Sequence, residues 1–186
     1  IDLYLEELNP KNNKEFLTPN GYKKLYLKKT KVKIKNKDDI EIVLLWSDNG
    51  PIIPEQHLGV MFREESKNLI SIKSNSLIEN DLSMTAAIDL MLSNSVNEAL
   101  EVSKNHVTPI KNLMVIDNEN IAFKLIGKIP KRNIAHSTKG QFPGLGRNQD
   151  DQWNGYYDYD VNTTTKNPSN GKILNTGNKN INDKFP

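Results

Sequence analysis

Asn112, Arg132, Asp2 and three histidines are the residues of this chain whose types could do chemistry, and their spacing restricts what that chemistry is. His57, His106 and His136 are scattered and form no spaced ligand set, and His136 reads as a surface residue of a polar loop. There is no Cys, which excludes disulfides and thiolate metal sites. Ser66 and Ser71 carry no nucleophile elbow, so the chain shows no catalytic nucleophile of its own. Asn112 follows Pro109 at the start of an apolar run, where its type alone reads as a loop closure. Arg132 offers a permanent charge and a planar fork of donors.

The one dense basic run is Lys23 to Lys37, against a net charge of only +2 for the whole chain. So small a charge supplies no global field to hold nucleic acid. Within the run, Leu25, Leu27, Val32 and Ile34 mark a strand period that places Lys31, Lys33 and Lys35 on one solvated face. Anion binding there is the lesser reading, and it would show as salt-dependent retention on heparin.

The elements that must position these residues follow from punctuation and period. Residues 2 to 8 read as a strand ended by Asn9-Pro10, with the polar stretch from Lys11 to Gly21 as a loop. Residues 22 to 36 and 40 to 47 read as an antiparallel pair, broken by Asn49-Gly50-Pro51. Further strands are expected around His57 to Arg63 and Leu69 to Lys73. Asp81 can cap a first helix carrying Ala86, Ala87, Leu90 and Met91, and Ser95-Val96-Asn97-Glu98 opens a second as a capping box. A hairpin follows, Leu113 to Ile116 and Ile121 to Ile126 about the turn Asp117 to Asn120. From Lys128 onward the sequence is turn-rich. This order gives an α+β class. The 22 Lys and 25 Asn lower the hydrophobic share to 36%, which fits an AT-rich coding sequence and also a chain whose core is completed by a larger partner.

No run approaches the ~18 apolar residues of a membrane-spanning helix, and residues 1–186 carry no signal-peptide pattern. The chain has no initiator Met and opens on Ile1-Asp2-Leu3-Tyr4-Leu5, in what reads as mid-strand. A neighbouring strand is therefore expected upstream.

An ordered string of motifs resembles the penicillin acylase family of N-terminal-nucleophile hydrolases. It runs from Pro109-Ile110-Lys111-Asn112 through Val115-Ile116-Asp117-Asn118-Glu119-Asn120-Ile121 to Gly127-Lys128-Ile129-Pro130-Lys131-Arg132. It continues with Pro143-Gly144, Trp153-Asn154-Gly155-Tyr156, Asn167-Pro168-Ser169-Asn170-Gly171-Lys172-Ile173, Asn178-Lys179 and Phe185-Pro186. Earlier, Asp2-Leu3-Tyr4-Leu5-Glu6-Glu7 and Asn49-Gly50-Pro51-Ile52 fit the same order. Asn49 stands for the family's usual His, Glu119 for a hairpin Gly and Gly177 for the first of two Asn, and the tract from Gly144 to Gln152 is longer than usual.

The resemblance implies that residues 1–186 are an internal segment of a β-chain from an αββα sandwich, with an α-chain and the rest of the β-chain as partners from one self-cleaving precursor. It implies an enzyme that hydrolyses a linear, small-molecule amide such as the acyl side chain of a β-lactam or of an N-acyl homoserine lactone. The nucleophile would be an N-terminal Ser outside this chain. Its own α-amine, titrating near ~8, would act as base. Asn112 is then an oxyanion donor, Arg132 supports the active site, and Asp2 with the Ile1 carbonyl joins a structural Ca²⁺ site. Periplasmic or secreted placement is the family's habit. Nothing in the resemblance involves nucleic acid or a membrane. The alternative is a non-catalytic scaffold or binding protein left by a split or decayed acylase gene.

Overall fold

The computed structural model describes residues 1–54 and 68–176, so the expected strand at His57 to Arg63, and Asn178-Lys179 and Phe185-Pro186, lie outside the described residues. The backbone divides into two compact units, residues 1–77 with 132–152, and residues 78–131 with 153–186. Each is described by itself.

The first unit is built on β1 (Asp2–Asn9), which pairs antiparallel with β7 (Asn68–Lys73) from Asp2↔Lys73 to Glu7↔Asn68. On its other side β11 (Gly144–Leu145) adds a short parallel pairing at Tyr4 and Leu5. The expected loop from Lys11 to Gly21 is instead mostly β2 (Asn12–Thr18), which pairs with β1 and with β3 (Gly21–Lys24). Its polar residues face outward while Phe16 is buried, and one apolar anchor between two strands is enough to hold an otherwise polar strand.

Of the expected pair, residues 26 to 32 and 40 to 47 are present as β4 (Tyr26–Val32) and β5 (Ile40–Ser47), in register from Tyr26↔Trp46 to Val32↔Ile40, while residues 22 to 24 belong to β3 instead. The strand ends at Val32, so Lys33 and Lys35 fall outside it, and of the expected basic face only Lys31 is on a strand, opposite Glu41. Lys29 pairs with Glu41 at 3.1 Å and Lys23 with Asp48 at 2.6 Å. Both pairs are exposed and contribute little to stability. Tyr26, Ile40, Ile42 and Leu44 are also exposed. The Asn49-Gly50-Pro51 break is a tight return into β6 (Gly50–Pro51), which pairs back on β5.

In the second unit α1 (Ser83–Leu92) is preceded by Asp81, whose carboxylate accepts from Ser83 N at 2.9 Å. The second helix, α2 (Val96–Val102), is capped by Ser95, whose Oγ accepts from Glu98 N at 3.2 Å. The reciprocal half of the box is displaced by one residue, because Glu98 Oε2 accepts from Asn94 N rather than from Ser95. The three-stranded sheet has the order β13 (Thr164–Lys166), β9 (Ile121–Ile126), β8 (Lys111–Ile116). Being central, β9 is buried on both faces at Ala122, Phe123, Leu125 and Ile126. A short pair, β10 (Pro130–Arg132) with β12 (Trp153–Tyr156), follows. Among the described residues no helix is long and apolar enough to cross a membrane.

Candidate functional site

Strand alternation sends Asp2, Tyr4 and Glu6 to one face of β1, and that face is the buried one, while Leu3 and Leu5 are only half-buried. A strand that reads as apolar flanks around a polar alternation thus keeps its polar side inside. Such burial is tolerable only if each group finds partners.

Most do. Arg132 grips Asp2 in a two-pronged bond, Nε to Oδ2 at 2.8 Å and Nη2 to Oδ1 at 2.6 Å. The parallel geometry matches a guanidinium fork to a carboxylate. Gly140 closes over the pair in a left-handed conformation (φ +75°), where a Cβ would come within 2.6 Å of Asp2 Oδ1 and 2.9 Å of Arg132 Nε. The Tyr4 hydroxyl donates to the Asp151 carbonyl at 2.8 Å, and burial raises the phenol far above its ordinary range. Glu6 Oε1 accepts from Ser47 Oγ at 2.6 Å, Ser71 Oγ at 2.7 Å and Asn49 Nδ2 at 3.1 Å. Among the described residues its Oε2 has no partner, and it faces Gly146, where a Cβ would overlap it.

His136, expected at the surface, is buried. Its Nδ1 accepts backbone N–H groups from Thr138 and Lys139 at 3.2 and 3.1 Å, which leaves the ring hydrogen on Nε2. That nitrogen points toward Asp2 Oδ2 across 3.9 Å, too far for a hydrogen bond. The loop that carries His136 is otherwise solvated, with Asn133, Ala135, Ser137 and Lys139 exposed, and His136 turns inward from it. Asp151 completes the cluster. Burial opposes its ionisation, yet donors on Leu145 and Ser137 outweigh that and hold the carboxyl below its ordinary value.

The structure thus brings together Asp2 and Arg132, to which the resemblance gives separate tasks. Both Asp2 oxygens are engaged by Arg132. Among the described residues no group of three or more acidic or histidine side chains gathers to hold a metal. Calcium takes about 6–8 oxygen ligands. The residues that the resemblance offers, Asp2 and the Ile1 carbonyl, do not by themselves fit the ion.

Asn112 belongs to the other unit, at the second position of β8 opposite Leu125. The ladder fixes its backbone, and its side chain is exposed. One Nδ2 hydrogen goes to Asn175 Oδ1 at 2.9 Å. The other has no partner among the described residues and is presented to whatever binds there. Oxyanion donors act preorganised in a water-excluded site, and within this unit the Asn112 amide is exposed. His106 sits apart from this role, with Nε2 2.8 Å from the Pro109 carbonyl.

The same unit holds a buried lysine that the strand period alone did not single out. Lys124 Nζ donates to the Asn162 carbonyl at 3.0 Å and to Thr164 Oγ1 at 2.7 Å, and it lies 4.2 Å from the centre of the Tyr159 ring. Burial pushes its amine below the usual lysine value. A cavity of about 250 Å³ opens beside it, lined by Leu100, Lys104, Tyr159 and Asp160 among others. With its hydrogens directed to β13 and the ring, Lys124 ties the edge strand to β9.

Comparison with known proteins agrees with the motif order. The family model described as penicillin amidase matches residues 1–186. A solved structure of a thermostable penicillin G acylase from Alcaligenes faecalis superposes with a TM-score of 0.83 at 21% identity, covering 98% of this chain. At that identity the likeness shows the fold. The chain spans 31% of the length of that acylase chain.

Proposed function

The chain belongs to the penicillin amidase family, and from that premise we propose that the protein it forms part of is an amidohydrolase cleaving a linear amide into a carboxylic acid and an amine. The match along the whole chain carries the reading. In this scheme a serine at the mature N-terminus of the catalytic chain, outside residues 1–186, attacks the amide carbonyl. Its α-amine takes the proton and later returns it to the leaving amine. Asn112 meets the oxygen that becomes negative in the tetrahedral intermediate. Its free N–H is directional and uncharged, so it gains strength as charge develops without binding the ground state tightly. Arg132, held by Asp2, stiffens the segment that follows β10.

Two measurements test this. The 186-residue chain alone should turn over no chromogenic phenylacetyl or fatty-acyl amide above background, and turnover abolished by a substitution within it would refute the assignment of the nucleophile elsewhere. In the full-length protein, with the processed terminus verified, Asn112→Ala should lower kcat by roughly 10²–10³-fold and change KM much less. An unchanged kcat would return Asn112 to a loop-closing role. The identity of the released acid, arylacetic or fatty, reports which class of acyl group is the substrate.

A further inference from the structure

We propose that the Asp2 site works without a metal in this protein: the Arg132 guanidinium, and not a calcium ion, carries the positive charge that the buried Asp2 carboxylate requires. The inference is independent of the hydrolytic reading, because it concerns only the charge balance of the interior around β1.

A buried carboxylate can stay ionised in two ways. It can ligate a cation, or it can be gripped and hydrogen-bonded by a cationic side chain. The two need opposite surroundings. Calcium gathers about 6–8 oxygen lone pairs at ~2.3–2.6 Å. A guanidinium brings its own hydrogens and needs no further ligand.

The surroundings of Asp2 are of the second kind. Its side chain is 2% exposed, and Arg132 donates to both of its oxygens. His136 faces the same carboxylate, with Nε2 3.9 Å from Oδ2. Because His136 Nδ1 accepts from Thr138 N and Lys139 N, the ring turns a hydrogen toward Asp2 and not a lone pair. The position that a Cβ on Gly140 would take is 2.6 Å from Asp2 Oδ1, which is a calcium–oxygen distance. It is also 2.9 Å from Arg132 Nε and 3.0 Å from Nη2. A dication there would lie almost as close to a positive charge as to a negative one. Attraction and repulsion nearly cancel, and little is left to offset the loss of the ion's water.

The other carboxylates of this interior do not complete a shell. Both Asp151 oxygens accept from Ser137 or Leu145. Glu6 Oε1 accepts from Ser47, Asn49 and Ser71. Glu6 Oε2 has no partner among the described residues, but it belongs to a residue four positions along β1. At ~3.3 Å per residue that is about 13 Å from Asp2, too far to share an ion. Arg132 holds its proton throughout the accessible pH range, so Asp2 is neutralised whatever the calcium supply.

The test uses the full-length processed protein, stripped with EDTA, with calcium chloride as the probe. A ligand that binds only the folded state raises Tm as its concentration exceeds Kd. A calcium site at Asp2 must therefore show as a rise in Tm that Asp2→Asn abolishes. We expect the calcium response of Tm, and the calcium bound per molecule, to be the same in the wild type and in Asp2→Asn, wherever else the ion binds. A response lost in Asp2→Asn would overturn the proposal. A crystal of the unsubstituted protein grown in millimolar calcium decides the matter if Asp2→Asn does not fold. Asp2 gripped by Arg132 without an ion would support the proposal, and calcium ligated by Asp2 would overturn it. Arg132→Met keeps an apolar stem and removes the charge. It should lower Tm by several degrees, and adding Asp2→Asn should recover part of the loss, because a neutral amide needs no counter-charge. A wild-type Tm in Arg132→Met would overturn it as well, since Asp2 would then draw its compensation from elsewhere.

Discussion

The two units solve the problem of an interior in opposite ways. Around β1 the first unit encloses Asp2, Tyr4, Glu6, His136 and Asp151 beside Phe16 and Ile70, an interior rich in ionisable groups held mostly by matched partners. Around β9 the second encloses Ala122, Phe123, Leu125 and Ile126, with Lys124 and Asn162 among its buried polar members. An apolar core tolerates small misfits because dispersion and water exclusion carry no strict direction. A polar one is exacting, because each unmatched group costs the full desolvation of its charge or dipole. Substitutions should therefore act by geometry in the first unit and by volume in the second.

The sharpest test is Gly146→Ala. Its Cβ would overlap the fully buried Glu6 carboxylate, which is itself fixed by Ser47, Asn49 and Ser71. We expect a loss of roughly 4 kcal/mol or more, from a single methyl group. Wild-type melting would mean that the Glu6 pocket is far more pliant than its contacts imply. In the second unit, Phe123→Ala should cost about 3–5 kcal/mol through cavity and transfer effects. Amide exchange should report that loss in β8, β9 and β13.

Asp2→Ala comes next, at about 3 kcal/mol, the lower end for breaking a buried pair. Arg132 keeps partial access to water, with 27% of its side chain exposed, and can recover some hydration. If Asp2→Ala and Arg132→Ala cost much less together than the sum of their separate losses, the pair acts as one unit. Tyr4→Phe should cost about 1 kcal/mol, since it removes one hydrogen bond and leaves the Asp151 carbonyl unpaired.

The smallest effect is one of pH. Backbone donors on Val96, Glu119 and Asn120 bring the Asp117 carboxyl down to about 2. Its ordinary value is about 3.9. The folded value is depressed, so its stabilisation is present above pH ~4 and lost as pH falls toward ~2. The β8–β9 turn and the start of α2 should loosen across that window. In Asp117→Asn the dependence should vanish. Amide shifts of Glu119 and Asn120 that stay constant from pH 5 to 2 in the unsubstituted protein would contradict it.

The sequence was most legible where interactions are local. The β4–β5 register, the β8–β9 hairpin about Asp117 and the Ser95 cap all follow from residues within a few positions of one another. Ordered motifs also carried the family, since each needs only its own neighbours to be identified. Two differences each turn on one inward-facing side chain. Residues 11 to 21 lack a strand pattern because Phe16 alone faces inward. The tract around His136 is solvated as its composition implies, and the one ring that turns inward leaves no mark in a polar sequence.

By itself the sequence determined the α+β class, the family and the hairpin that carries Asn112, through spacing that survives without knowledge of the fold. Only tertiary structure decided that the polar side of β1 faces inward, that Asp2 meets Arg132 across 130 residues, and that Asn112 meets Asn175. Hydropathy assigns a carboxylate to water by default, and that default fails when a distant guanidinium or set of hydroxyls replaces the water. Local periodicity records which side of a strand is polar. It does not record what lies on the other side of the contact.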